Sequence, residues 1–211
     1  MTIIIDGTTG VPVSPVTGTL AVLNGGTGVT TSTGSGANVL GTSPSISGAV
    51  MTTMASSVIT SGTAVASTSG TSIDFTSIPS WAKRITVMFN GVSTNGASAP
   101  MVQLGTSSGV TTTGYLAGGV EGATTRGTYT TGFGTVSGSA ANLIYGSYVI
   151  TLITGNTWVA SHNMMLYQAG VYYQLTGAGS IALGGTLDRV RITTVNGTDT
   201  FDAGSINILY E

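Results

Sequence analysis

Between Arg84 and Phe89 apolar and polar residues alternate, with Ile85, Val87 and Phe89 on one face and Arg84, Thr86 and Met88 on the other. A period of two predicts a strand with one buried face. Asn90-Gly91 comes next as a tight-turn signal. Upstream, Pro79 makes Ile78 to Trp81 a corner between strands, where Trp81 is expected to cap the edge of a core. The stretch Thr71 to Gly96 around this strand also holds the single Lys, Lys83. The chain before this stretch reads as a thread, and the chain after it as a sheet domain.

Further along, short apolar segments predict strands over Met101 to Leu104, Leu143 to Ile153, Thr157 to Leu166, Val171 to Leu175, Ser180 to Leu183, Leu187 to Val195 and Ser205 to Tyr210. Asn196-Gly197 is a hairpin signal between the last two. Gly105 to Asn142 is dominated by Gly, Thr and Ser, with Tyr115, Tyr129 and Phe133 scattered through it, and reads as a long polar loop region. Regular short strands of this kind predict an antiparallel β-sandwich, jelly-roll-like, over residues 63–211.

The amino-terminal part differs. Met1 to Ile5 predicts a short strand closed by an Asp6-Gly7 turn, without the cationic run of a secretory leader. Such a strand either pairs within this chain or adds to the sheet edge of another protein. In the second case Ile3, Ile4 and Ile5 anchor residues 1–17 to that partner. Residues 18–62 are low in complexity, yet return to apolar positions such as Leu20, Leu23, Val29, Leu40, Ile46, Met54 and Ile59. Two readings stand: a flexible Gly/Ser linker, or a shaft in which identical threads intertwine, with Gly allowing close backbone approach.

Composition narrows the picture. Charged residues make up 6% of 211 residues, too few to clothe solvent-facing helices, whereas Val, Ile, Thr and Tyr favour strands; the class is all-β. A net charge of −2 gives no basic surface for nucleic acid. Every apolar run is broken well short of the ~18 residues that would span a bilayer, so no membrane insertion is expected. There is no Cys, which removes disulfides and thiolate metal sites.

Candidate chemistry is sparse. His162 is the only His, placed by alternation on the face of Trp158, Ala160, Met164 and Leu166; it reads as a packed side chain, and one His cannot supply a base-plus-nucleophile set. Asp199 and Asp202 stand three apart, a spacing open to Ca²⁺ or to a carboxylate pair, with local turn bonds the simpler use. Asp188, Arg189 and Arg191 read as an exposed ion pair and strand-face charges, and Asp74 is expected to pair with Lys83 or Arg84. Asn196-Gly197-Thr198 matches a glycosylation sequon but reads as a turn. No phosphate-binding loop exists. Seven acidic residues, thinly spread, do not form the clustered acids of a glycan-cleaving enzyme, so neither enzyme activity nor a cofactor is expected.

The run LNGGTGVTTSTGSGANVLGTSP, Leu23 to Pro44, resembles segments that recur in tail-fibre and related virion proteins of tailed bacteriophages. The run SGTSIDFTSIPSWAKRITVMFNGVSTNG and the ending FDAGSINILYE resemble a carboxy-terminal domain of the same class. The resemblance implies a homotrimeric, fibrous or knob-like structural protein on the virion. Its partners would be copies of itself, other virion proteins through the amino-terminal segment, and a host-surface receptor such as a glycan. Two roles fit: a tail fibre or receptor-binding tip, or a capsid decoration protein or head fibre that binds no receptor. In the first, Tyr115, Tyr129 and Phe133 are the receptor-contact candidates; alternatively those rings fill an intersubunit core.

Overall fold

The computed structural model describes residues 59–211 other than 123, 124 and 137. The expected anchor with Ile3, Ile4 and Ile5, and nearly all of the expected shaft, lie outside those residues. The described residues contain strands and no helix. In chain order the strands are β1 (Thr60–Ser61), β2 (Val65–Ala66), β3 (Ile73–Phe75), β4 (Arg84–Thr94), β5 (Pro100–Thr106), β6 (Gly109–Val110) and β7 (Leu116–Glu121). They continue as β8 (Thr125–Tyr129), β9 (Phe133–Gly134), β10 (Leu143–Thr154), β11 (Thr157–Gln168), β12 (Val171–Ala182), β13 (Arg189–Thr194) and β14 (Phe201–Tyr210).

They form two antiparallel sheets. The larger runs β1-β14-β4-β10-β11-β12-β7-β8, with β2 also on β14; the smaller runs β3-β13-β5-β6, with β9 also on β5. Side chains from both close one apolar cluster, among them Ile85, Val87, Ile150, Leu166 and Leu175 from the large sheet and Val102, Leu104, Val190 and Ile192 from the small one. The arrangement is β-sandwich-like, and β1 brings Thr60 and Ser61, expected in the thread, into the large sheet opposite Tyr210 and Leu209.

Alternation accounts for the longest strands. On β11, Trp158, Ala160, His162, Met164 and Leu166 are buried while Ser161 and Asn163 face outward. On β4, Ile85, Val87 and Phe89 are buried as predicted, but the next buried residue is Val92, a step of three rather than two. Asn90-Gly91 is therefore not a turn. Phe89 pairs with Gly146 and Val92 with Ile144, so Asn90 and Gly91 together oppose Tyr145 alone. This is a β-bulge, and Gly91 takes the left-handed conformation it needs, with φ of +64°.

Other expectations need correcting. Val171 to Leu175 and Ser180 to Ala182 belong to one strand, β12, which stops one residue short of the expected Leu183, because Gly177 and Gly179 keep their pairing with His162 and Ala160. The Gly105 to Asn142 region contains β7 and β8, which extend the large sheet, and β6 and β9 in the small one. Asn196-Gly197 does turn, with Gly197 N–H donating to Thr194 C=O at 3.0 Å, but it carries the chain from β13 in one sheet to β14 in the other and joins no hairpin. Trp81 is 48% exposed and lies against Tyr210, with ring centroids 5.7 Å apart, outside the core instead of capping it.

The bulge gives a test. Gly91→Val places a β-branched residue at positive φ and should lower stability by about 1–2 kcal/mol. Urea denaturation should show a lower midpoint with an unchanged slope; an unchanged midpoint would mean that the bulge is not needed.

Candidate functional site

The aromatic residues expected to meet a receptor are placed inward. Tyr115 and Phe133 are 1% and 2% exposed and meet edge to face at 5.0 Å. The Tyr115 hydroxyl accepts a hydrogen bond from Leu104 N–H at 2.7 Å, fastening the start of β7 to β5, and burial pushes its pKa up to about 12. Tyr129 is half-buried; its hydroxyl donates to Thr135 C=O, and burial raises its pKa. None of the three forms an exposed contact face, because the segment that carries them is folded into the two sheets.

His162 is buried as alternation predicts. Its ring stands 4.5 Å from that of Tyr148 on β10 and presses on β12, where a Cβ at Gly177 would lie 2.4 Å from His162 Cε1. Neither His162 Nε2 nor the Tyr148 hydroxyl has a hydrogen-bond partner among the described residues. Burial lowers the His162 pKa to about 4, and it pushes Tyr148 well above the usual phenol range, with Tyr129 adding to the effect. The neutral imidazole is thus a core side chain, and among the described residues no carboxylate or activated nucleophile bonds to it.

The carboxylates are engaged in turns and ion pairs. Asp199 accepts from Ser98 N–H at 2.8 Å and from Asn196 Nδ2 at 2.6 Å, which holds its pKa below the usual carboxylate range and ties two loops together. Asp202 is exposed and shares none of these bonds. Asp74 pairs with Arg191 through two hydrogen bonds of 2.7 Å, not with Lys83 or Arg84; Arg84 pairs with Glu211. Arg189 meets Asp188 at 3.4 Å, the expected partners, but the pair is half-buried rather than exposed. Among the described residues no three His, Asp or Glu side chains gather in a metal-binding group.

The surface feature that sequence reading misses lies at the β11–β12 hairpin. Ala169 and Gly170 both have positive φ, 48° and 89°, as a two-residue type I′ turn requires. Beyond it Val171, Tyr172, Tyr173 and Gln174 are exposed in succession, so both faces of the strand are open and the hairpin overhangs the core. Tyr172 is 64% exposed and packs against Tyr167 at 5.1 Å. Tyr145, Met165 and Gln174 form one row across β10, β11 and β12. Gln174 Nε2 donates to Asn163 Oδ1 at 3.3 Å, a diagonal cross-strand pair. Together Tyr145, Asn163, Met165, Tyr172, Tyr173 and Gln174 line an open depression of about 550 Å³ with no charged residue in its wall. Half of the eight Tyr residues, counting Tyr167, thus gather at this end of the large sheet. The signal available in the sequence was Tyr172-Tyr173: adjacent residues on a strand point to opposite faces, so two rings in succession cannot both enter one core.

Comparison of the chain with protein families, with curated proteins and with solved structures finds no match.

The buried imidazole sets a pH dependence. An unfolded His titrates near 6.5 and the folded one at about 4, so the unfolded chain binds the extra proton between these values and stability falls as pH falls through that window. The loss should reach about 3 kcal/mol at pH 4. Urea midpoints at pH 7, 5.5 and 4 should decline in the wild type, with most of the decline absent in His162→Leu.

Proposed function

We propose that this protein is a bacteriophage virion structural protein, a homotrimeric tail fibre or receptor-binding tip whose jelly-roll-like sandwich faces outward while the segment before it attaches to the particle. The observation that carries the reading is the overhanging tyrosine-rich hairpin. Tyr side chains give large contact area at small entropic cost, and they favour recognition surfaces where one end of the ring is apolar and the other wet. The receptor contact is therefore assigned to Tyr145, Tyr172 and Tyr173 in place of Tyr115, Tyr129 and Phe133. The phage-like segment at Leu23 to Pro44 supports the same setting.

The role is non-enzymatic in this reading. His162 sits inside the core and Asp199 is held by turn bonds, so neither faces the tyrosine depression with a partner for acid–base work. A second reading, a capsid decoration protein or head fibre, is favoured by the same hairpin if another subunit covers it, since uncharged aromatic surface also suits a subunit contact.

Sedimentation of the full-length chain and immunogold labelling of particles test assembly and place. A trimer on the tail is expected. Particles carrying Tyr172→Ala with Tyr173→Ala should assemble normally and adsorb to host cells at least about tenfold more slowly, the loss expected for removing a central aromatic contact. Normal adsorption together with capsid labelling would favour the decoration reading.

A further inference from the structure

The wall chemistry of the tyrosine depression selects among ligands. Tyr145 and Tyr172 provide ring faces on the outward side of the sheet, Met165 an apolar floor, and Asn163 with Gln174 two carboxamides, while Tyr173, which pairs with the buried Leu166, turns its side chain to the other face. The single bond between those amides uses Asn163 Oδ1 and one Gln174 N–H. It fixes both planes and leaves the Asn163 amide N–H groups as donors and Gln174 Oε1 as an acceptor, beside one another. The tyrosine hydroxyls add groups that donate and accept.

A charged ligand fits poorly. An anion would find no Arg or Lys in the wall and a cation no carboxylate, so either would lose hydration without a partner. A purely apolar ligand would leave the amide pair unsatisfied. The ligand that matches has flat C–H faces to lie on rings and hydroxyls that both donate and accept, and it carries no charge. The size of the depression falls within the range of ligand sites, about 300–1,000 Å³, and it is open to solvent.

We propose that the β10–β12 depression is a binding site for a neutral oligosaccharide, with Tyr145 and Tyr172 as stacking platforms and Asn163 and Gln174 as the hydroxyl-reading pair. The proposal deepens the attachment reading by naming the class of receptor, and rests on that reading for its biological setting. Recognition by stacking and neutral hydrogen bonds is insensitive to salt, in contrast to recognition of an anionic polymer, which weakens steeply.

The test is calorimetric titration of the full-length protein with neutral maltohexaose, cellohexaose, isomaltohexaose and N-acetylchitohexaose, beside anionic oligogalacturonate and oligosialic acid. At least one neutral probe should bind, with an affinity unchanged between about 50 and 200 mM salt. Tyr172→Ala and Gln174→Ala, both at exposed positions, should each weaken that binding at least about tenfold while the urea midpoint and the sedimentation coefficient stay at their wild-type values. Binding of anionic probes only, binding of no neutral probe, or neutral binding indifferent to both substitutions would overturn the proposal. A lowered oligomeric state in Tyr172→Ala would overturn it too, assigning the hairpin to a second copy of the chain. If adsorption depends on Tyr172 while every neutral probe fails, the attachment reading stands and the saccharide class falls. If a neutral probe binds through Tyr172 while adsorption is indifferent to it, the site stands without the attachment role.

Discussion

The structure depends on the register that carries one row of inward-facing positions across the large sheet: Ile208 on β14, Val87 on β4, Tyr148 on β10, His162 on β11, Gly177 on β12, Gly119 on β7 and Gly127 on β8. Large side chains fill the first four positions of this row, and the last three have none. At the bulky end the large sheet packs on the small sheet in the ordinary way. At the glycine end the space is taken by other parts of the chain: a Cβ at Gly119 would meet Val136 and His162, and one at Gly127 would meet the Tyr129 ring. The β7–β9 region is seated by what the strands lack as much as by what they carry. A slip of one residue in any of these pairings would turn the apolar set outward, so the register is strongly specified.

This explains what the sequence disclosed and what it concealed. The strands around Arg84 to Phe89 and Trp158 to Leu166 were legible because large side chains alternate there, and alternation also placed His162 correctly in the core. Gly105 to Asn142 was not legible as sheet, since the inward positions of β7 are Ala117, Gly119 and Glu121, which leave no apolar alternation. Tyr115, Tyr129 and Phe133 looked like loop aromatics for the same reason. Ion-pair partners were unreadable on different grounds: Asp74 and Arg191 are neighbours only because β3 pairs with β13, 117 residues along the chain. The exposed Tyr172 and Tyr173 were hidden by a correct assignment, since a strand through them says nothing about whether a facing sheet covers it.

Electrostatics contributes little to holding this domain together. The ion pairs among the described residues all retain side-chain exposure of a fifth or more, and pairs of that kind are worth at most about 1 kcal/mol each. With no disulfide in the chain, cohesion falls to burial and to hydrogen bonds that join separate segments. Those bonds include Tyr115 to Leu104, Thr135 Oγ1 to Pro100 C=O, and Ser67 Oγ to Ala203 C=O. Each closes a loop onto a strand that belongs to a different part of the sequence.

The overhang of the β11–β12 hairpin carries an evolutionary consequence. Its residues from Val171 to Gln174 are exposed, and its turn is satisfied by Ala169 and Gly170 locally, so the identity of its side chains is only loosely coupled to the packing that specifies the fold. A substitution that would unseat Leu175, the next residue along the strand and fully buried, costs far less at these exposed positions. A lineage carrying this sandwich can rewrite the tip, change what it recognises, and keep the same scaffold through each change.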